Sequence, residues 1–383
     1  MKPASTFTKK LSAWYYKNKR DLPWRKTADP YKIWISEIML QQTTVNTVIA
    51  YYVRWIREFP TVQSVAKAPL QRILKMWQGL GYYSRAKNIH RSAKIVCDVY
   101  GGRIPDNPEE LKKLPGIGPY TVGAVSSIAF GRKYPIIDAN VRRVIMRQLA
   151  LKGHADNSQD KKVLNFLEKV MPARNAGIFN QALMELGALI CRSREPNCIS
   201  CPVKMSCRGY KKGIQEIIPL PKKTVFQKIQ AVIAIIERNG RFFIQKRPAR
   251  GLLADLWEFP GGKVEAHESI EEALHRELKE ELGVTVEKME YLMDTLHFYT
   301  QFRVQLHVWR CHLVSYPKID QNHKWVSFKS LERYPMPSGS AKIVEQLREL
   351  ETNQARGAVS NQRRTRYVMP PISQGEFKLE PAL

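Results

Sequence analysis

Residues 114–140 read LPGIGPYTVGAVSSIAFGRKYPIIDAN, and the rest of the chain is organised around them. Leu114-Pro115-Gly116-Ile117-Gly118 is a tight glycine turn leading straight into a helix. Pro119 suits the first helical position, where its missing N–H would have had no partner, and Gly131 is a natural stop. Gly116 and Gly118 carry no side chains, so their amides can approach a phosphate at the positive end of that helix. Asp138 follows twenty residues after Gly118, a lone carboxylate beyond the apolar run Tyr134-Pro135-Ile136-Ile137. A phosphate cradle feeding a carboxylate points to chemistry on a nucleic-acid chain. The plain alternative is a helix–turn–helix pair capped by glycines.

The composition favours the first reading. The chain has 383 residues, enough for two or three domains with real cores. It carries 62 basic against 35 acidic side chains, a net charge of +27, which makes a polyanion the expected partner. An anionic membrane is the rival, but there is no apolar run near eighteen residues and no lipidation signal. The opening MKPASTFTKK lacks the apolar core of a signal peptide. The expectation is a soluble, cytoplasmic, monomeric protein with no membrane association.

Residues 1–208 read as nearly all helix. Ile33, Ile38, Met39 and Leu40 supply an apolar face, and similar patterns recur at 70–100 and 160–190. A basic, proline-containing linker is expected at 209–227. Strands follow: IQAVIAIIE and RFFIQKR flank Asn239-Gly240, a strong hairpin signal. A helix near 269–282 and further strands near 291–313 and 324–328 complete an α+β domain over 228–350. The polar, unpatterned tail 351–383 is expected to be disordered.

The spacing Cys191-x6-Cys198-x2-Cys201-x5-Cys207 places four thiols on one short loop. A structural zinc usually pairs two C-x2-C knuckles, whereas one compact irregular run suits a [4Fe–4S] cluster. Cys97 and Cys311 stand alone and read as buried packing residues. Glu37 lies in the apolar helix WISEIMLQQT. Most such glutamates are surface residues, but one buried there would have a raised pKa and could protonate a leaving group. Asp138, ionised, would then stabilise positive charge, the division of labour that cleavage through an oxocarbenium-like state requires. Gln41, Gln42, Trp24, Tyr82 and Tyr83 are candidates for stacking on bases or wedging between them, against core packing for the aromatics. Arg142, Arg143 and Arg147 read as a solvated helix face or as DNA contacts.

Together SEIMLQQT, GLGYYSR, LPGIGPYT, IDANV and the four-cysteine spacing resemble the helix–hairpin–helix DNA glycosylases of the endonuclease III superfamily, and within it the adenine DNA glycosylases of the MutY type. The resemblance implies an all-α glycosylase of two helical modules, one bearing the cluster, with a flipped base entering between them. It implies that Glu37 protonates the adenine and that Asp138 stabilises the sugar cation. Tyr120 matches the position where lyase members carry a lysine. A phenol cannot form a Schiff base, so a monofunctional glycosylase is implied. Trp24, Arg25 and Gln181 match residues around the adenine pocket; Gln42 and Tyr82 match those that pry at the opposite strand. The family's Asp-Gly-Asn is Asp138-Ala139-Asn140 here, tolerable where the backbone is not left-handed. The implied partner is double-stranded DNA with mismatched or oxidised pairs, at the nucleoid, in company such as a sliding clamp and an abasic-site endonuclease.

Residues 262–284, GKVEAHESIEEALHRELKEELGV, fit G-x5-E-x7-R-E-U-x-E-E-x-G-U without a mismatch, the Nudix signature of MutT-like pyrophosphohydrolases. Glu277, Glu280 and Glu281 are spaced to share a helix face that can hold Mg²⁺ with a substrate diphosphate, with Glu268 contributing. MutY proteins usually carry a decayed box and use this fold to read 8-oxoguanine. The Phe-Ser-His motif for that reading falls at Tyr299-Thr300-Gln301, and none of the three is retained. Two other functions remain open on the same residues: a thymine or uracil mismatch glycosylase, and a non-catalytic iron–sulfur DNA-binding protein.

Overall fold

The computed structural model describes residues 3–221, 226–299 and 302–364. Two helical modules come first, each with its own core. Trp55 packs edge to face with Trp77 and Phe59 in the first, in one core with Trp34 and Ile35, and this module spans the helices between Pro30–Leu40 and Pro119–Ala124. The second is built from both ends of the glycosylase half. Phe7, Leu11 and Tyr15 of the helix Pro3–Asn18 pack on Val144 and Ile145 of Ala139–Leu149 and on Phe179 and Leu183 of Ala176–Leu189. Any site between the modules is therefore framed by residues far apart in sequence.

Local chemistry fixes the helices that matter. Asp29 caps Pro30–Leu40 by accepting from the Tyr31 amide at 2.9 Å, with Pro30 at the first helical position. After the helix Pro108–Lys113 the chain turns at Gly116, whose φ of +77° and contact with Asn88 exclude a side chain. The helix Pro119–Ala124 then starts at Pro119 as its sequence predicts and runs on through a wider turn at Val125–Ala129. Asp138 caps Ala139–Leu149 by accepting from the Val141 amide at 2.6 Å. Ala139 is the first residue of that helix and has no left-handed backbone, so alanine is accommodated there.

The third unit is a mixed six-stranded sheet of β1 (Gln227–Arg238), β2 (Arg241–Lys246), β3 (Trp257–Glu258), β4 (Val286–Tyr299), β5 (Phe302–Leu313) and β6 (His323–Ser327). The order is β3-β2-β1-β5-β4, with β6 on β2 and β1 parallel to β5. Asn239 and Gly240 have φ of +50° and +67° and close the β1–β2 hairpin, the left-handed pair that makes Asn-Gly favourable. Alternate β1 residues are buried on both faces: Val232, Ala234 and Ile236 lie with Leu274 and Leu278, while Ile233 and Ile235 lie with Ile343 and Leu347. The helix Ile270–Leu282 has a Ser269/Glu272 capping box and ends at left-handed Gly283.

The sheet domain docks on the first helical module. Leu256 is fully buried in that module's core, Lys87 pairs with Asp255 at 2.6 Å, and the Tyr83 hydroxyl donates to the Met336 carbonyl at 3.0 Å. Tyr83 is thus buried in a domain contact and cannot stack on a base. The part of the connector up to Leu220 lies against the second module, with Ile218 in its core. The helix Ser338–Arg364 continues past residue 350, so 351–364 are helical where no pattern was expected; 365–383 lie outside the described residues. Cys311 is buried as anticipated, but Cys97 is only half-buried on the helix Ser84–Tyr100. No helix among the described residues is long and apolar enough to cross a membrane.

Candidate active site

Glu37 sits in the next-to-last turn of Pro30–Leu40 and is 4% exposed, at the wall of a cavity of about 580 Å³ between the two helical modules. The first module contributes Trp24, Arg25, Gln41 and Gln42 to that cavity, the hairpin helix Tyr120, and the second module Asp138, Gln181 and Glu185. Most of the residues singled out for base chemistry therefore meet in one place. The volume is within the range of small-molecule sites and suits a single nucleoside.

Burial pushes the Glu37 carboxyl up to about 7; the Tyr120 hydroxyl, 2.5 Å from Oε2, and Arg25 oppose this, while the charge of Asp138 adds to it. Glu37 thereby retains part of its proton near neutral pH. Asp138 is also raised by burial, but the Val141 amide, the Asn140 side chain at 3.0 Å and Arg143 all favour its ionised form. Two carboxyl groups thus share one cavity, one holding its proton to higher pH than an ordinary glutamate and the other anchored as a helix cap.

Glu185, which the sequence reading did not single out, is fully buried on Ala176–Leu189 and accepts from both Arg20 and Arg25 at 2.8 Å. Burial alone would raise its pKa, but the hydrogen bonds from Arg20 and Arg25 outweigh it and hold the carboxylate at about 2. Arg25 is thus locked in the cavity wall. Gln181 is oriented by the Tyr15 hydroxyl at 3.0 Å, and Trp24 is a core residue, edge-on to Tyr52, that also lines the cavity. Glu185 carries the same signal as Glu37, an acid within an apolar helix, and could have been found by it.

Gln42 and Tyr82 share an unusual backbone, with φ of +57° and +45°. Side-chain-bearing residues pay for that conformation unless their surroundings impose it. Gln42 lines the catalytic cavity, whereas Tyr82 lines a separate groove with Asn88, Arg91 and the 249–254 loop of the sheet domain.

Cys191, Cys198, Cys201 and Cys207 line one small pocket. Among the described residues no group of three or more His, Cys, Asp or Glu side chains is closed up to metal-holding geometry. Two of the three arginines expected on a solvated face or on DNA, Arg143 and Arg147, instead brace this loop. Arg143 donates to the Cys191 and Gly187 carbonyls, and buried Arg147 donates to the carbonyls of Ile218, Arg192 and Ser193 and to Cys191 Sγ. Arg142 pairs with Asp160 at 2.6 Å.

In the sheet domain Arg276 organises the signature residues. It holds Glu268 through two bonds, of 2.7 and 2.9 Å, and its Nη1 donates to Glu277 and Glu280 at 3.0 and 3.1 Å. Glu277 lies directly over Gly262, where any side chain would collide with its carboxylate. Glu281 accepts from Gln245 at 2.7 Å and from the Gly261 amide at 3.2 Å, while Glu280 stays 62% exposed. Glu258, outside the signature, is a further acid here: burial raises it to about 7 against its pairing with Arg247, and Glu281 raises it further. Tyr299 ends β4 opposite Phe302, and Thr300 and Gln301 lie outside the described residues.

A glycine hairpin beside a buried pair of carboxyl groups, joined to a signature-bearing sheet, defines a base-excision DNA glycosylase with an appended Nudix domain. Residues 35–173 match the HhH-GPD superfamily of base excision DNA repair proteins, and residues 231–346 match the NUDIX domain. The adenine DNA glycosylase of Buchnera aphidicola subsp. Acyrthosiphon pisum is 36% identical over 90% of this chain and 98% of its own length. That of Mus musculus is 30% identical over 96% and 82%. The chain belongs to the adenine DNA glycosylases, hydrolytic enzymes of base-excision repair. A solved thermostable thymine-DNA glycosylase is 33% identical over 55% of this chain and 97% of its own, with a TM-score of 0.49.

Proposed function

We propose that the enzyme releases adenine mispaired with guanine or 8-oxoguanine in duplex DNA, with Glu37 as acid and Asp138 as the stabilising anion. The observation that carries this is the shared cavity, in which a carboxyl group held by Tyr120 and a second one anchored as a helix cap line the space for one nucleoside. The target deoxyadenosine must leave the stack to enter. Glu37 protonates the base, which departs neutral. Asp138 stabilises the sugar cation as the N-glycosidic bond breaks, and water completes hydrolysis. Trp24, Arg25 and Gln181 bound the base, the amides at Gly116 and Gly118 approach the backbone, and Gln42 and Tyr82 act on the opposite strand. Tyr120 provides no amine, so the product is an abasic site without strand cleavage by the enzyme. The test is product analysis on duplexes carrying adenine opposite 8-oxoguanine, guanine or cytosine, beside thymine and uracil mismatches. Adenine release from the first two alone is expected; thymine or uracil release would refute the assignment.

The cysteine loop fits a [4Fe–4S] cluster. Four thiols line one pocket, and Arg143 and Arg147 fix the loop's carbonyls from the helix Ala139–Leu149. Cys191, Cys198, Cys201 and Cys207 would hold it, and it would supply a rigid, cationically surrounded loop beside the DNA path. Lys204, Arg208, Lys211 and Lys212 provide that charge.

A second reading concerns the sheet domain. The complete signature, with Arg276 holding Glu268, Glu277 and Glu280 together, supports Mg²⁺-dependent hydrolysis of a nucleoside di- or triphosphate. Glu268, Glu277, Glu280 and Glu281 would hold the ion, which neutralises phosphate charge and activates water when bound. An oxidised purine triphosphate is the substrate in keeping with the other half of the chain. The lesion-reading positions Tyr299, Thr300 and Gln301 keep hydrogen-bonding groups without the family's residues, so preference for 8-oxoguanine over guanine is expected to be relaxed. A sliding clamp and an abasic-site endonuclease, at the nucleoid, are the partners such a product calls for.

A further inference from the structure

Arg85, in the first turn of Ser84–Tyr100, is a buried cation that the chemistry above does not use. It is 8% exposed, and no carboxylate is among the groups that act on its charge. Burial pushes its guanidinium down to about 10, still charged at neutral pH. Its charge is instead spread over backbone oxygens of two separate segments. Nη1 donates to the carbonyls of Ile38 at 2.9 Å, Met39 at 3.1 Å and Gln41 at 2.5 Å. Nη2 donates to the carbonyls of Leu80 at 2.9 Å and Gly81 at 3.2 Å, and to Thr43 Oγ1 at 3.3 Å. The guanidinium also lies over the rings of Trp77 and Tyr82, at 5.2 and 5.6 Å.

Each contact has a bearing on the cavity. Ile38 and Met39 follow Glu37 on its own helix, and Gln41 and Thr43 form the cavity rim. Leu80 and Gly81 lead into Tyr82. The left-handed backbones of Gln42 and Tyr82 lie next to these anchored residues, and such conformations persist only when their surroundings over-determine them. A buried charge without a counter-ion is costly, and here it is offset by these oxygens and by the faces of the Trp77 and Tyr82 rings.

We propose that Arg85 is a positioning residue for excision: it clamps the 41–43 rim and the Tyr82 loop to the end of the Glu37 helix, so that an extruded nucleotide meets the acid in register. The proposal rests on the reading of Glu37 as the acid. Lysine keeps the charge but cannot span both segments, because an ammonium lacks the planar fork.

The test compares full-length R85K and T43V with the parent enzyme on an adenine-mismatch duplex. Single-turnover adenine release is measured beside binding of an uncleavable duplex, thermal melting, and the fluorescence of 2-aminopurine placed at the target position. For R85K, release is expected to fall ~100-fold, the scale of a 1 Å misplacement, with a weakened 2-aminopurine signal and near-parental binding. T43V removes one clamp contact and is expected to lose release in the same direction by roughly several-fold; if R85K does not fold, T43V decides. Parental release by R85K, or by T43V when R85K is unfolded, overturns the proposal. So does lost release with an unchanged 2-aminopurine signal. E37Q is measured alongside: if it stays active while R85K does not, the acid is reassigned and the clamp on the rim stands.

Discussion

The Tyr120 hydroxyl donates a 2.5 Å hydrogen bond to Oε2 of Glu37, and this contact restrains the carboxyl that burial drives upward. Without it Glu37 would hold its proton to still higher pH. With Glu37 as the proposed acid, excision should be retained below about 7 and fall as pH rises through that value. Y120F is expected to move this alkaline limb upward while lowering the maximal rate by roughly tenfold through lost orientation of the acid. A pH–rate profile of single-turnover release checks both; an unmoved limb would separate Tyr120 from the titration of Glu37.

The same burial has a cost in stability. Glu37 is raised from 4.5 to about 7 on folding, so the folded state binds the extra proton between those values and stability declines as pH rises through that window. The shift corresponds to about 3 kcal/mol. E37Q carries no ionisable group there, so its melting temperature should exceed the parent's at pH 8 and match it near pH 4. Thermal melts at the two pH values measure this, and equal differences at both would exclude Glu37 as the source.

Glu185 has the opposite sense. Its pKa is held at about 2, so its stabilisation is present above about 4.5 and is lost as pH falls toward 2. E185Q leaves Arg20 and Arg25 without their shared anion and should destabilise the protein by about 3 kcal/mol at neutral pH. Denaturant melts of E185Q would show this, and an unchanged midpoint would contradict it.

What the sequence disclosed and what it hid divide along one line. The Asn239-Gly240 hairpin, the helix near 269–282, the proline-initiated helix at Pro119 and the spacing of the cysteines are local chemistry, and each falls where the residues place it. Asp138 stood out as a lone carboxylate after an apolar run, whereas Glu37 read by itself as a surface residue and came forward only through the family resemblance. Arg85, Arg143, Arg147 and Glu185 act through partners tens to more than a hundred residues away. Nothing in a run of basic residues on a helix says that their donors face backbone carbonyls rather than water. Leu256 was hidden for the same reason, since its apolar neighbours belong to another domain.

The cysteine loop should hold about four irons per chain and give the broad brown absorbance of a Cys₄ cubane. C198S is expected to impair DNA binding or folding before the chemical step. Iron analysis after anaerobic purification checks the first statement, and stoichiometric zinc without iron would contradict it.

In the sheet domain, full-length protein with Mg²⁺ should release phosphate or pyrophosphate from an oxidised purine triphosphate, and E281Q should not. Assay of a panel of ordinary and oxidised nucleotides decides the matter. Equal release by E281Q and the parent would leave the domain a binding role only.

The central claim is tested most directly by single-turnover adenine release from a duplex carrying adenine opposite 8-oxoguanine, comparing the parent with E37Q at pH 6. The variant retains size and hydrogen bonding but has no acidic proton. The account predicts that adenine release is abolished while the duplex is still bound. Undiminished release by E37Q would contradict it and remove Glu37 from the mechanism.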